Sequence, residues 1–460
     1  MKQKLIKGCH VFNHHDLWYV INIEEMCAYT IDYETALLIK NASPDEVSQS
    51  HVSEKLKKYG LLSEVREETL KKEGEPVFIT NICLFLTRAC NLKCIYCYEK
   101  GGECGICANM EEHTAFQAID WLIEQSGKIK KIYTGLFGGE PFLKFPLMKS
   151  VVEYAKKRAG EAGKKIVFYV TTNGTLLDDE KIAFIKEHNI DVMVSFDGTK
   201  ELQDSQRPFA DGRGSYDSSV PGIKKLLEAL PETPGHAVIV GNTDPEIVKN
   251  SMKEIGFRRI SIMPASKSLF TEEYNKTKSR RDTECLLNEL EKEEETWINL
   301  IKNRDSEGLK SLKDRSELYQ VIVFLLHNNK RHYACGAGLG FVAVSCSGDV
   351  YLCQRFVGME EYKLGSIFEK DLRREEYQKS PATENKLCTS CFARYCCAGG
   401  CKHDNVASCG SVSMPSEDMC RLRRRELELA ASIVCRLNSD DIAFLTDREI
   451  FPPRPCLLDF

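Results

Sequence analysis

The chain has 460 residues, of which 42% are hydrophobic, and a formal net charge of −5. That length suggests two to four domains, and that apolar content is ample for globular cores. The slightly negative charge offers no footprint for nucleic acid or an anionic membrane. No apolar run reaches the roughly 20 residues of a spanning helix. The first residues show neither a long apolar segment nor a cleavage pattern, so no signal peptide is expected and the expected location is cytoplasmic. In that compartment 21 cysteines point to metal ligation rather than disulfides.

The chain opens with three short strand-like runs at 9–13, 17–23 and 28–32, followed by helical patterns at 34–41 and 46–59. Strands followed by helices make residues 1–72 a small winged-helix-like module, ending in a charged linker at 64–72. Cys9 and Cys27 read as ordinary half-buried thiols.

From residue 78 onward, strands alternate with helical stretches, which implies parallel βα units. Strands are expected at 78–86, 131–137, 165–171, 191–196, 236–240 and 259–263. The first reads as fully buried and leads directly into Cys90-Asn91-Leu92-Lys93-Cys94-Ile95-Tyr96-Cys97. Thiolates suit zinc or iron–sulfur clusters. A structural zinc site wants four protein ligands, so three close thiolates favour an iron cluster with an open position. Given the cysteine content, such a triplet arises by chance in roughly 4% of chains like this one. Its place at a strand's C-terminal end, where α/β barrels keep their chemistry, adds weight. Other strand ends carry Gly138-Gly139-Glu140-Pro141, Thr171-Thr172-Asn173-Gly174-Thr175 and Ser195-Phe196-Asp197-Gly198, then Gln203 and Arg207. Cys104 and Cys107 read as thiols of a loop, with a metal or redox role as the alternative. Residues 266–334 form a charged helical bridge, clearest at 284–302.

The last third holds Cys335, Gly348, Cys353, then Cys388-x2-Cys391-x5-Cys397-x3-Cys401, and Cys420. A zinc ribbon would use the middle four and leave the outer cysteines without a job.

The triplet Cys90/Cys94/Cys97, with Tyr96 before its last cysteine, resembles the signature of radical S-adenosylmethionine (SAM) enzymes. The resemblance implies a [4Fe–4S] cluster whose open iron binds SAM. One electron then releases a 5′-deoxyadenosyl radical that abstracts hydrogen. It also implies an α/β fold with a partial (β/α)6 barrel over 73–265. The motif Gly138, Gly139, Glu140 and Pro141 resembles the one that meets the SAM amino group. Ser195 would face the ribose, and Arg207 would pair with the carboxylate, a job suited to a planar guanidinium. Asn173 and Asp197 complete the implied SAM site. Related enzymes often have His where this chain has Gln203, which leaves that position's role open.

The later cysteines resemble the SPASM extension, expected at 335–425 ahead of a C-terminal helix and tail at 426–460. By that resemblance Cys388, Cys391, Cys397 and Cys420 hold one auxiliary [4Fe–4S] cluster, and Cys335, Cys353 and Cys401 hold the other, making three clusters in all. The fourth ligand of the latter is open. The stretch 342–353 reads as a hairpin turning at Ser347-Gly348. Pairing Cys346 with Asp349 places Cys346 four residues from the level of Cys353, roughly 13 Å away. Sulfurs on one cubane lie about 6 Å apart, so Cys346 is not expected to be the missing ligand. An open iron, or a ligand from elsewhere such as Cys396, is left; Cys409 has no assigned role.

The stretches 332–356 and 388–405 resemble peptide maturases that form thioether crosslinks, such as the quinohemoprotein amine dehydrogenase maturase and ranthipeptide or sactipeptide synthases. The first module resembles the element that captures a leader peptide as an added strand; a packing or dimerisation domain is the alternative. The implied partners are a ribosomally made precursor peptide and a flavodoxin- or ferredoxin-type electron donor. Anaerobic sulfatase maturases share the pattern, but there an Asp acts as base where this chain has Gln354. Carbon–carbon crosslinking, epimerisation and formylglycine formation stay open beside the thioether reading. A cluster-bearing electron carrier is the reading from another class, and there the motifs at Gly138–Pro141 and Arg207 would have no purpose.

Overall fold

The computed structural model describes residues 4–5, 8–41, 50–63, 77–99, 109–241, 243–265, 283–313, 316–369, 371–378 and 384–452. The expected linker at 64–72, Cys104 and Cys107 lie outside the described residues, as does the start of the helix expected at 46–59.

Strand β1 (Lys4–Leu5) pairs antiparallel with β5 (Leu62–Ser63) around a three-stranded meander of β2 (Cys9–His14), β3 (Leu17–Asn22) and β4 (Cys27–Ile31). The β2–β3 turn places His15 and Asp16 at positive φ, as a tight two-residue hairpin requires. Alternation along β3 sorts its side chains between two cores. Val20 packs with Ala36 of helix Tyr33–Asn41, with Leu56 of helix Ser53–Lys58 and with Val52 just before it. Tyr19 and Ile21 face the other way, into a core with Trp297 and Leu427.

The main sheet has nine strands in the order β11-β10-β9-β8-β7-β6-β12-β13-β14. Six of them run parallel in chain order: β6 (Asn81–Thr87), β7 (Lys131–Gly138), β8 (Lys165–Thr172), β9 (Asp191–Ser195), β10 (Pro234–Ile239) and β11 (Arg259–Pro264). β6 is buried from Ile82 to Thr87, as a parallel strand covered on both faces should be. It begins at Asn81 rather than 78, because Ile79 N–H is spent on Gln125 O at the end of the helix Glu112–Gln125 that follows β6.

β12 (Phe341–Val344), β13 (Asp349–Tyr351) and β14 (Lys363–Ser366) extend this sheet, with β12 parallel to β6 in the register Phe341↔Asn81. The segment expected as a separate extension from residue 335 therefore shares the barrel's sheet and its core. The expected boundary at 425/426 falls inside one continuous helix, Glu417–Cys435, which packs on helices Thr283–Lys302 and Tyr319–His327.

The β12–β13 register corrects the expected one by a residue. Val344 pairs with Val350 and Ser345 N–H bonds to Asp349 O, so Cys346 does not pair with Asp349. The reason is a three-residue turn, with Gly348 in the left-handed region at φ 86° and the Ser345 hydroxyl accepting Asp349 N–H. Among the described residues no helix is long and apolar enough to cross a membrane.

Candidate active site

β6 ends at Thr87, and the chain then crosses the mouth of the parallel strands carrying Cys90, Cys94 and Cys97. The loop after β7 presses against its start: Gly139 N–H donates to Thr87 O at 3.1 Å and Glu140 N–H to Ala89 O at 3.0 Å. Gly138 has φ 144°, and a Cβ there would stand 2.0 Å from Thr87 O. The glycine pair thus serves a backbone-to-backbone approach that no side chain permits. On its other flank the cysteine loop is held by Lys93 N–H to Pro208 O and Ile95 N–H to Gln206 O.

Glu140 is fully buried and acts as a clamp. Its carboxylate accepts Phe142 N–H at 3.2 Å, the Thr172 hydroxyl at 2.9 Å and Asn173 N–H at 2.8 Å. Burial pushes it up to about 7, against the pull of those hydrogen bonds. Asn173 in turn donates to Asn91 Oδ1 at 2.9 Å, and its amide lies 3.9 Å from Cys90 Sγ. Strand ends β7 and β8 are so locked to the cysteine loop.

A second knot sits after β9. Asp197 is 1% exposed. It accepts the Tyr96 hydroxyl at 2.5 Å and Val238 N–H at 3.0 Å, and lies 3.1 Å from Arg207 Nε. Arg207 lies over the Tyr96 ring and reaches Cys94 Sγ at 3.9 Å. Burial works against the Arg207 charge, but Asp197, Tyr96 and Cys94 together outweigh it and hold the guanidinium above its ordinary range. Gln203 is fully buried; it accepts Asp197 N–H at 2.9 Å and donates to Ser215 Oγ at 2.9 Å. Its role, left open by the sequence, is to hold Asp197.

The three thiols, Tyr96, Gly138, Gly139, Asn173, Ser195 and Arg207 line one cavity of about 1190 Å³. Glu140, Pro141 and Asp197 stand behind that lining. Burial pushes Cys90 and Cys94 up to about 12. The wall of the same cavity also carries Phe341, Gln354 and Arg355. Arg355 bonds Asp404 at 2.9 Å and reaches Cys401 Sγ at 3.8 Å.

Beyond that wall Cys353 has Cys401 and Cys335 as electrostatic neighbours. Cys388 has Cys397, Cys391 and Cys420 as its own. Cys346 is directed at Phe85 O, 3.2 Å away, and buried Cys396 faces Glu426 and Arg423. Among the described residues, the set of three metal-ligating atoms within 4.8 Å of one another is His14, His15 and Glu294, not any thiol set. Thiolates around one zinc ion stand about 3.8 Å apart; those on an iron–sulfur cubane stand about 6 Å apart. The looser thiol groups suit clusters better than single zinc ions. His14 Nδ1 faces Arg425 Nη2, so its Nε2 carries the proton it gives to Glu294, which makes that trio a hydrogen-bonded pair rather than a ligand set.

Residues 84–255 match the model of the Radical SAM superfamily. The chain carries a radical SAM domain. It is 26% identical to the cysteine-type anaerobic sulfatase-maturating enzyme of Clostridium novyi over 338 residues, covering 68% of this chain and 85% of that protein. The structure of anSMEcpe with bound AdoMet superposes with a TM-score of 0.61 at 19% identity, over 78% of this chain and all of that one. Streptococcus suis SuiB bound to precursor peptide SuiA gives 0.51 at 16% identity, over 90% of this chain and 98% of that one. At such identities the likeness is one of fold.

Three features of this site escaped sequence reading: the Gln203 support, the burial of Glu140 behind the wall, and the buried Arg88–Glu99 pair at 3.4 Å beside the cavity. Each is set by long-range packing. Arg88 and Glu99 flank the triplet on both sides, which was the available signal.

Proposed function

We propose that this chain is a radical SAM enzyme that modifies a ribosomally made, cysteine-containing peptide, joining its sulfur to a carbon of another residue. The observation that carries this reading is the shared cavity: its lining holds Cys90, Cys94 and Cys97 together with Gln354 and Arg355, which follow Cys353, and Arg355 reaches Cys401. A peptide lying in it would meet both thiol groups at once. The sulfatase-maturating relative and the SuiB–SuiA complex supply the substrate class by likeness.

Bound at the triplet, a [4Fe–4S] cluster and SAM supply a radical able to abstract a hydrogen atom from carbon. Cys90, Cys94 and Cys97 would hold the cluster, with Arg207, Ser195 and the Gly138–Gly139 backbone facing the SAM. Tyr96 and Asp197 fix where the Arg207 charge lies. Phe137, Tyr169 and Phe341 give the cavity apolar walls that keep water from the reacting carbon. Cys335, Cys353 and Cys401 would hold the first auxiliary cluster, and Cys388, Cys391, Cys397 and Cys420 the second. Because Cys346 and Cys396 face elsewhere, a ligand position for the substrate sulfur on the first is consistent with this arrangement. A sulfur and a carbon held side by side react without the cost of finding each other. Within the N-terminal module, among the described residues, β2 and β4 each pair only with β3, which leaves edges on which a leader peptide could add a strand. A flavodoxin- or ferredoxin-type protein would deliver the electron.

The test is anaerobic incubation of cluster-loaded protein with SAM, dithionite and the precursor peptide. Expected are 5′-deoxyadenosine and a peptide lighter by two hydrogens whose cysteine no longer alkylates. The variant with Cys90, Cys94 and Cys97 all changed to Ala should keep roughly two-thirds of the iron and make no 5′-deoxyadenosine. A lightened peptide whose cysteine still alkylates would point to a carbon–carbon bond; SAM cleavage by the triple variant would remove the site assignment.

A further inference from the structure

The turn that follows Cys353 is a short 3-10 segment, Gln354–Phe356. Phe356 is fully buried and pins the turn into the core, which leaves Gln354 and Arg355 facing the cavity. The two are not equivalent. The Arg355 guanidinium is engaged by Asp404, by Cys401 Sγ and by the Tyr98 ring. Gln354 Oε1 is buried and has no hydrogen-bond partner among the described residues.

A buried acceptor left without a donor is disfavoured, so the site gains when a ligand supplies one. Three other polar side chains of this cavity are already engaged by protein: Tyr96 with Asp197, Asn173 with Asn91, and Arg207 paired with Asp197. A carboxamide offers one acceptor and two donors in a plane. That pattern is complementary to a peptide group, which offers N–H and C=O. Turning the amide by 180° exchanges acceptor and donor, and a peptide group satisfies either orientation.

We infer that Gln354 is the substrate-positioning residue of this cavity, hydrogen-bonding a backbone amide of the bound peptide and so fixing which residue lies beside Cys353. The inference rests on the peptide reading above and adds a contact to it. Because the contact is to backbone, it sets register without selecting a side chain. Selectivity for the linked residues then comes from spacing along the peptide.

The test uses cluster-loaded full chain and a pool of short N-acetylated, C-amidated peptides, each with one central cysteine. Peptides retained on gel filtration are identified by mass, and the dissociation constant of one labelled member is measured by fluorescence polarisation. Gln354→Leu should keep the wild-type iron content and melting curve while binding that peptide at least about tenfold more weakly, the worth of one such hydrogen bond. Gln354→Glu, which retains an acceptor, should recover most of the affinity. An analogue with an ester in place of the contacted amide should lose affinity to wild type and lose nothing further with Gln354→Leu. Equal affinity of wild type and Gln354→Leu overturns the assignment alone. Failure of wild type to retain any member overturns the peptide reading, and the assignment with it.

Discussion

Tyr96 donates its hydroxyl to Asp197 at 2.5 Å, joining the cysteine loop to the end of β9 across 101 residues of chain. The same carboxylate meets Arg207, and Gln203 holds its backbone from behind. The cation facing the cavity is thus positioned by a chain of buried groups, none of which tolerates loss of its partner.

Tyr96→Phe should lower stability by ~1.5–3 kcal/mol, the worth of a hydrogen bond to a charged acceptor. Gln203→Leu strands Asp197 N–H and the Ser215 hydroxyl and should cost about 1–3 kcal/mol. Because both act on Asp197, the double variant should depart from additivity in urea titrations. Strict additivity would mean that the two contacts are independent.

Cys346→Ala should keep the full iron content, since its sulfur faces Phe85 O rather than the Cys335/Cys353/Cys401 group. Cys353→Ala should lose about one-third of the iron, one cluster of three. Iron analysis after anaerobic reconstitution decides it, and equal losses from both variants would contradict the placement.

Gly138→Ala forces a methyl to 2.0 Å from Thr87 O at a backbone angle that L residues rarely adopt. The loop must move, and with it the start of the cysteine loop. Expected are a stability loss of about 2 kcal/mol or more and poor loading at Cys90, Cys94 and Cys97, read from iron content and thermal melting. Wild-type loading would show that the contact is not required.

Glu140 gives a pH signature. Burial raises it from 4.5 to about 7, so between those values the folded chain keeps a proton that the unfolded chain has released. Its contribution to stability is present below about 4.5, falls as pH rises, and is lost above about 7, up to about 3 kcal/mol in all. Urea midpoints at pH 5 and 8 measure it, and Glu140→Gln should remove that part of the slope while weakening the clamp at every pH. An unchanged slope in the variant would place the titration elsewhere.

The parallel strands were readable because their apolar runs are continuous and their ends are marked by glycine and polar residues. β7, β8 and β11 lie within a residue of expectation for that reason. The β12–β13 register was not readable: both a two-residue and a three-residue turn can use Gly348 in the left-handed region, and they differ in whether Ser347 joins it there, which it does not; a one-residue slip turns every side chain over. Nor could local pattern show that β12 would pair with β6, some 260 residues earlier. At the site, the thiols were legible from spacing. The supports were not, because Glu140 owes its role to Thr172 and Asn173 at the end of the neighbouring strand, and Gln203 to side-chain contacts with Asp197 and Ser215 that no spacing rule marks.

The parallel pairing of β12 with β6 makes the sheet a ruler. The cysteine triplet hangs from the end of one strand, and Cys353 follows the hairpin begun by its neighbour, so the gap between the two thiol groups is counted in strand residues, each worth about 3.3 Å. A ruler of this kind does not stretch when helices around it breathe. On the proposed function, distances between linked peptide positions would then come in steps inherited from backbone pairing, and moving one step would take an insertion in a strand rather than a change in any residue of the cavity wall.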